Sequence, residues 1–292
     1  MLTGEPRRWS NEPGAPGFIK VMDPVPYRYS FGASDEEQTA NNLTYLEEVI
    51  DYESPDTIAA MFVEPIVGTN GILPPPKGYL EGLSAILKRH GILLVCDEVM
   101  AGFGRTGKMF AHHHAGIEPD IVCMAKGLTS AALPLGAMGI SKPIAEYFDT
   151  NVFWSGLTYS AHPMGLAAAI AAVEVLRDEG LVENAARMQT VMLRHMAELA
   201  DKHPCVAGYR ATGLFGAIDL HKKSGPISPG YNTTAPVIGQ LVAKLREAGL
   251  YTMARWNILF CNPPLCITEE QLGEAFAIVD EALGVVDAVY ED

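Results

Sequence analysis

Short, continuous apolar runs constrain the fold of this chain more than any other feature of its sequence. Four such runs have the length and composition of buried strands. They occupy residues 57–63 (TIAAMFV), 92–96 (ILLVC), 121–124 (IVCM) and 135–140 (LGAMGI). Residues 77–90, between the first two runs, have apolar residues at helical spacing. Fully apolar strands separated by helices predict a mostly parallel sheet covered on both faces, which is an α/β fold of three layers.

Polar residues at the ends of these runs are candidates for a functional site. Glu64 follows the first run, Asp97 follows the second, and Lys126 follows the third. In open α/β sheets the functional groups gather at the carboxyl ends of the strands. Taken singly, a strand-end aspartate is more often a turn residue and a lone lysine is usually solvated. Their common position is therefore the reason to consider Asp97 and Lys126.

The order of the regular elements predicts two domains. Residues 1–45 are rich in Pro, Gly and Asn and predict an extended loop, with a first helix over residues 43–52. After residue 180 the pattern changes to amphipathic helices and short strands, expected over residues 181–203, 205–220, 235–248, 251–254, 258–261 and 269–290. We therefore expect a large domain over residues 1–180 and a small C-terminal α/β domain over residues 181–292.

The acidic composition argues against two classes of partner. The net charge is −14 and the pI is about 5.0, so no basic surplus exists to neutralise nucleic acid or an anionic membrane. The most apolar stretch, residues 165–176, is too short to span a membrane and contains Glu174. The first residues carry charge without an apolar run behind it, so we expect no secretory signal.

Five cysteines, an odd number with no C-x-x-C pair, predict buried, reduced thiols rather than disulfides or a zinc site. They are Cys96, Cys123, Cys205, Cys261 and Cys266. We therefore expect a cytoplasmic protein. The run His112-His113-His114 could also suggest a metal, but three consecutive side chains rarely point at one ion. We expect these histidines on a surface loop or helix edge and expect no metal site.

A nucleotide-binding loop is the main alternative from local motifs. Residues 102–108 (GFGRTGK) nearly match the pattern G-x-x-x-x-G-K-[ST], and ILLVCDE resembles the metal-binding strand of the same ATPases. Met109 stands where that loop needs a Ser or Thr for Mg²⁺. Asp97 and Gly102 are also too close in sequence, because the metal carboxylate of such enzymes comes from a different strand. Both facts weigh against an ATPase.

A set of longer strings resembles one enzyme family over essentially the whole chain. These strings are VEPIVGTNGILPPPKGYL, LLVCDEVMAGFGRTGKMFA, PDIVCMAKGL, PLGAMGIS and GLTYSAHPMGLAAA, in this order. Together they resemble class III aminotransferases, which are fold-type I enzymes dependent on pyridoxal 5′-phosphate (PLP). The opening LTGEPRRW…PYRYSFG is similar to the branch that includes ω-amino acid:pyruvate and taurine:pyruvate aminotransferases.

The resemblance implies roles for several residues. Lys126 would form the Schiff base with PLP and move a proton. Asp97 would face the pyridine nitrogen and keep it protonated, and Val99 would pack on one face of the ring. Thr158 would bind the cofactor phosphate of the neighbouring subunit, which implies a homodimer with a shared site. Glu64 would help to arrange the site, although a purely structural role at a strand end has similar weight.

Three departures from the family pattern affect these expectations. Met100 stands near the cofactor's phenolic oxygen, where many members have Gln, and Met cannot donate that hydrogen bond. Arg255 resembles the mobile arginine that binds a substrate carboxylate, but its spacing to Pro263-Pro264 is shorter. The phosphate-binding loop and the aromatic residue that stacks on the cofactor have no counterpart, so we expect that the N-terminal third of a family-length enzyme, which belongs to the large domain, is missing.

By this resemblance the chain is expected to transfer an amino group from an ω-amino acid or amine to a keto acid such as pyruvate. Two alternatives remain open from the sequence. The chain could be a catalytically incompetent fragment, because the phosphate loop is missing. Another PLP reaction on the same fold, such as that of an aminomutase, is also compatible, because these motifs serve the cofactor and not the substrate.

Overall fold

The computed structural model describes residues 5–12, 14–26, 29–228 and 233–291. The sheet in the first half of the chain has four strands in the order β1-β2-β3-β4. They are β1 (Ala60–Val63), β2 (Leu93–Asp97), β3 (Ile121–Met124) and β4 (Ala137–Ile140). The first three strands are parallel, as predicted, whereas β4 is antiparallel to β3. A parallel crossover needs a long connection, and the short link from β3 to β4 contains only turns and the 3₁₀ helix Lys126–Leu128.

Three helices accompany this sheet: α1 (Asp35–Glu53), α2 (Tyr79–His90) and α3 (Lys142–Tyr147). Helix α1 packs on α2, and α2 packs on β2. The prediction of loop up to residue 45 was wrong, because α1 begins at Asp35. The hydroxyl of Ser34 caps it by accepting a hydrogen bond from Glu37 N at 3.3 Å, and three acidic residues fill its first turn. The polar run DEEQTANN conceals this start from a search for apolar periodicity.

The second half of the chain forms an antiparallel sheet in the order β5-β6-β9-β8, with β7 paired to β6. Its strands are β5 (Val206–Thr212), β6 (Phe215–Lys222), β7 (Gly225–Pro226), β8 (Ala254–Arg255) and β9 (Ile258–Cys261). The helices are α4 (Pro163–Asp178), α5 (Leu181–Lys202), α6 (Pro236–Glu247) and α7 (Glu269–Asp287). Helix α5 packs on β5 and α7, and α6 packs on α7, so helices cover one face of the sheet.

Three hydrophobic clusters hold these elements together. One contains α1, α2 and β2 residues such as Leu83 and Leu94, and a second contains residues of α5, α6 and α7 with β6, such as Met196 and Ile218. The third cluster contains residues of both halves, namely Ile66, Ile72, Ala101, Ala111, Phe215, Ala217, Trp256, Ile258 and Phe260. This shared core places the antiparallel sheet against the turn that follows β1.

Among the described residues, no helix is both long and apolar enough to cross a membrane. Cys96 lies in the cluster around α2, and Cys205 lies in the cluster around α5. All five cysteines are free thiols, but the prediction that they are buried was wrong for Cys266, which is exposed.

Candidate active site

A cavity of about 540 Å³ lies at the carboxyl ends of β1, β2 and β3. Its walls come from residues within 5–12, from Asp23, from the turn after β1 and from the residues that follow β2 and β3. Five of the seven predicted site residues line it: Glu64, Val99, Met100, Asp97 and Lys126. The strand-end argument explains this meeting, because β1, β2 and β3 are parallel and neighbouring.

Lys126 occupies an unusual backbone position two residues after β3. Its φ is +42°, in the left-handed region that costs a non-glycine residue about 1 kcal/mol or more. Its side chain is accessible at the cavity. Partial burial of the ammonium lowers its pKa, while the charges of Asp97 and Glu64 act in the opposite direction. Lys126 therefore has an increased neutral fraction while two carboxylates remain near it, as a lysine nucleophile requires.

Asp97 is the last residue of β2 and is paired in register with Cys123 of β3. Its carboxylate Oδ1 accepts a hydrogen bond from the Val99 backbone N–H at 3.0 Å. That bond orients the carboxylate in the turn that leaves the strand, and it also fixes the backbone of Val99. The same turn carries Met100 into the cavity wall, where the Thr69 hydroxyl donates to its sulfur at 3.2 Å.

Glu64 follows β1 directly and lines the cavity. Its Oε2 accepts a hydrogen bond from Gly68 N at 2.8 Å, which is a structural role. Burial raises the pKa of Glu64, and the nearby charges of Asp97 and Asp23 act in the same direction, whereas the bond from Gly68 opposes them. Burial also raises the pKa of Asp23. Glu64 and Asp97 are both close enough to Lys126 for their charges to act on its pKa.

The other two predicted residues lie outside the cavity wall. Thr158 is exposed, within a stretch of residues 151–164 that is exposed throughout. Arg255 is paired with Glu5, and its guanidinium carbon lies 4.4 Å from the centre of the Trp256 ring. Thr158 therefore lies outside the cavity wall. Arg255 also lies outside it, but it contacts Glu5, which lines the cavity.

Glu98 is a buried residue whose partner the sequence interpretation missed. Its side chain is fully buried and accepts hydrogen bonds from Ala111 N at 3.0 Å and from His112 N at 2.8 Å. The ring Nδ1 of His112 lies 2.9 Å from the same carboxylate. The prediction that the three histidines lie on the surface was wrong for His112, which is buried because its ring finds this carboxylate. The only sequence signal for this contact is the second acid of the pair Asp97-Glu98 at the end of the apolar run.

Residues 102–108 do not form a nucleotide-binding loop. No helix follows Gly107 directly, and the next regular element is the short 3₁₀ helix Ala111–His114. Arg105 instead donates to the carbonyl oxygens of Leu214 at 2.9 Å and Pro263 at 2.6 Å. Burial lowers the pKa of Arg105 to about 10. The segment therefore connects the two halves of the molecule, which removes the structural basis of the ATPase alternative.

Comparison with known proteins agrees with this geometry. Residues 6–283 match the family model described as Aminotransferase class-III. The chain is 36% identical over 286 residues to an uncharacterized aminotransferase of Sinorhizobium fredii, covering 92% of this chain and 60% of that protein. It is 33% identical to the taurine–pyruvate aminotransferase of Bilophila wadsworthia, covering 94% of this chain and 62% of that enzyme.

Among solved structures, the chain is similar to a taurine:2-oxoglutarate aminotransferase from Bifidobacterium kashiwanohense in complex with PLP and glutamate. The TM-score is 0.94 and the identity 40%, with 99% of this chain and 66% of that chain covered. This likeness confirms the predicted fold class, an α/β PLP-transferase large domain with a smaller C-terminal α/β part. The chain spans less than two thirds of the length of each of these three relatives, from 60% to 66%.

Proposed function

Because this chain belongs to the class III aminotransferase family, we propose that it serves PLP-dependent transfer of an amino group from an ω-amino acid or amine to a keto acid such as pyruvate. The observation that carries the proposal is the meeting of Lys126, Asp97 and Glu64 in one cavity. A lysine with a lowered pKa beside an oriented carboxylate is the arrangement that this cofactor needs.

The residues present fit the cofactor by size and by chemistry. A cavity of about 540 Å³ falls in the usual range for small-molecule sites. Asp97 provides an anion for a protonated ring nitrogen, Val99 provides an apolar surface for the ring, and Lys126 provides the amine for covalent attachment. PLP, when bound, supplies an electron sink for the substrate carbon next to the amino group.

Two of the chain's residues have distinct chemical tasks in this proposal. Lys126 holds the cofactor and carries a proton on Nζ to and from the substrate carbon, for which a lowered pKa is suitable. Asp97 stays in place through its bond to Val99 N and stabilises positive charge on the ring nitrogen. Glu64, whose own pKa is raised by burial, lies close enough to Lys126 for its charge to oppose the lowering of the lysine pKa.

The proposal extends to assembly, domains and location. Thr158 would bind the cofactor phosphate of a neighbouring subunit in a homodimer, which is supported by its exposed position away from its own cavity. The boundary between a large and a small domain would lie at Gly180, between α4 and α5. A cytoplasmic location is supported by free thiols in separate cores, Cys96 and Cys205.

The first test is covalent labelling of the 292-residue chain. The chain is mixed with PLP, its visible spectrum is recorded, the adduct is reduced with borohydride, and the labelled lysine is located by mass spectrometry. We expect a single label on Lys126 and its loss in Lys126→Ala. Lys142→Ala is the matched control, because Lys142 is an exposed lysine outside the cavity. Equal labelling of wild type and Lys126→Ala would refute the cofactor site.

Amino transfer itself is tested with unreduced chain that has bound PLP. This chain is incubated with β-alanine and pyruvate, and the L-alanine formed is measured. Formation of alanine that depends on Lys126 supports the proposal. A specific label on Lys126 without any alanine from a series of amine donors would favour the alternative of a chain that binds the cofactor but does not complete transfer.

A further inference from the structure

The turn that presents Lys126 to the cavity is strained at three positions. It runs from residue 125 to residue 136, between β3 and β4. Lys126, Ser130 and Ala131 have φ values of +42°, +50° and +65°. Residues with a side chain rarely adopt this left-handed region, and they keep it only where surrounding contacts enforce it. The contacts that enforce this turn therefore decide where the amine of Lys126 lies.

Thr129 is the buried polar residue at the centre of this turn. It is 3% exposed, although threonine is usually found at the surface. Its hydroxyl donates a hydrogen bond to the carbonyl oxygen of Leu133 at 2.7 Å, and its backbone N–H donates to the carbonyl oxygen of Lys126 at 3.3 Å. Ala132 N donates in turn to the carbonyl oxygen of Thr129 at 3.0 Å. Thr129 thus connects Lys126 to the far end of the turn, across the other two strained residues.

Gly127, directly after Lys126, provides a second fixed point. A Cβ atom at Gly127 would lie 2.8 Å from the Cβ of Phe103, which is closer than such atoms approach. Phe103 is 7% exposed and packs edge to face against Phe110, with 5.5 Å between the ring centroids. The backbone next to Lys126 therefore contacts the buried segment that follows β2 and has no space to move in that direction.

The side chain of Thr129 can act on the site only through Lys126. Among the described residues, those that line the cavity include Lys126 but not Thr129. The lysine amine lies at the end of a flexible four-carbon chain, so the backbone at Lys126 limits the positions that the amine can reach. Displacement of a reacting group by about 1 Å costs about 100-fold in rate. A hydrogen bond that holds this backbone therefore contributes to reactivity without touching a substrate.

From these contacts we propose that Thr129 is a positioning residue for Lys126, whose hydroxyl bond to the Leu133 carbonyl oxygen holds the lysine backbone in its left-handed conformation. The inference rests on the proposed function, and it adds a residue outside the cavity wall on which the reactivity of Lys126 depends. The hydroxyl is the essential group. Serine retains this donor, whereas valine has a similar shape without it and leaves the Leu133 carbonyl without its partner.

The first test compares how readily PLP labels Lys126 in the 292-residue wild type, in Thr129→Val and in Thr129→Ser. Each protein is treated briefly with PLP and borohydride, and mass spectrometry gives the ratio of label on Lys126 to label on the exposed Lys142 in the same sample. We expect this ratio to fall about tenfold in Thr129→Val, the effect of a partial displacement of the amine. In Thr129→Ser, which keeps the hydrogen bond, it should stay within about twofold of wild type.

Thr57→Val is the matched control. The Thr57 hydroxyl also donates to a backbone carbonyl oxygen, that of Glu53 at 2.8 Å, but it lies in the turn after α1 and outside the cavity wall. Its label ratio should equal that of wild type. Equal ratios in wild type and Thr129→Val would overturn the proposal. Equally low ratios in Thr129→Val and Thr129→Ser would also overturn it, because the hydroxyl would then not be the group that acts.

Amide hydrogen exchange of the chain without PLP gives a second readout. We expect exchange at residues 127–132 to be about tenfold faster in Thr129→Val and unchanged in Thr57→Val. Thr129→Ala removes the same hydroxyl and takes the place of Thr129→Val if that variant does not fold. If Lys126 is not labelled preferentially in wild type, the proposed function is wrong, and the exchange rates then decide whether Thr129 holds the turn. If Lys126 is labelled but Thr129→Val equals wild type in both measurements, the proposed function stands and Thr129 has no positioning role.

Discussion

Glu98 accepts two hydrogen bonds from a single residue, His112, one from the backbone N–H at 2.8 Å and one involving ring Nδ1 at 2.9 Å. Ala111 N provides a third at 3.0 Å. The carboxylate has no exposed surface. Because Glu98 follows Asp97 directly, these bonds hold the segment at residues 102–112 against the strand end that forms the site. Asp97 and Glu98 are therefore adjacent acids with different tasks.

Replacing Glu98 by Ala should lower the free energy of unfolding by about 3 kcal/mol, because three buried donors lose their acceptor. Urea denaturation followed by tryptophan fluorescence measures the change. Glu118→Ala is the control, since Glu118 is exposed, and it should shift the midpoint very little. A similar small shift for both variants would contradict the role assigned to Glu98.

Arg210 connects the second sheet to the turn that lines the cavity. It donates to the carbonyl oxygens of Ile72 at 2.7 Å and of Gly71 at 2.6 Å, and it pairs with Asp219. Ile72 has a φ of +54°, which a β-branched residue rarely adopts. Arg210 thus stabilises a strained turn whose neighbours Thr69 and Asn70 form the cavity wall.

We expect Arg210→Gln to loosen this turn, so that amide hydrogen exchange in residues 66–73 becomes at least about tenfold faster, corresponding to a loss of about 1.4 kcal/mol in local stability. Exchange followed by mass spectrometry gives the local readout. Asp219→Asn keeps the arginine and its backbone bonds, so its effect should be smaller. Equal protection in wild type and Arg210→Gln would show that the turn does not depend on this contact.

His203 lies between two carboxylates, with Nδ1 2.6 Å from Asp287 and Nε2 2.6 Å from Asp280. Both ring nitrogens donate together only when the ring is protonated. The pKa of Asp287 is lowered, since bonds from Cys205 and His203 outweigh the effect of burial. The pKa of Asp280 is lowered by Lys202 and by His203.

A lowered carboxylate pKa contributes stability above the ordinary pKa, near 4, which is lost as the pH falls through the native value. We therefore expect the Tm of wild type to fall steeply below about pH 4, and Asp287→Asn to have a lower Tm at pH 7 but a shallower acid dependence. Differential scanning calorimetry from pH 3 to pH 7 measures both. Asp201→Asn, at an exposed position, should retain the wild-type slope. Parallel curves for wild type and Asp287→Asn would contradict the prediction.

Gly213 shows how closely the two halves of the molecule approach. Its φ is +60°, and a Cβ atom there would overlap the backbone of Thr106 and Gly107. Gly91 has a similar φ of +69° but has open space where its Cβ would lie. We expect Gly91→Ala to cost about 1 kcal/mol from the backbone alone, and Gly213→Ala to cost roughly 3 kcal/mol or more, because backbone atoms must move. Urea midpoints of the two variants give the comparison. Equal shifts would show that the approach at Thr106 is not tight.

Much of the site could be predicted because the relevant signals are local. A buried strand followed by a polar residue is visible in a short window, and parallel neighbours bring such residues to one edge. Asp97 and Lys126 were found in this way, and the family strings added Val99 and Met100. The direction of β4 and the start of α1 were missed. The conformation of the turn between β3 and β4 decides the direction of β4. The polar first turn of α1 conceals where that helix begins.

The sequence by itself determined the α/β class, the family and the strand ends at which Lys126 and Asp97 stand, because apolar periodicity and continuous motifs record local burial. Only the tertiary structure decided that Arg255 meets Glu5, 250 positions away, and that Thr158 lies outside its own cavity. Pairings of this kind depend on how loops and sheets pack, and single polar residues in loops carry no periodic signal of the partner that burial will give them.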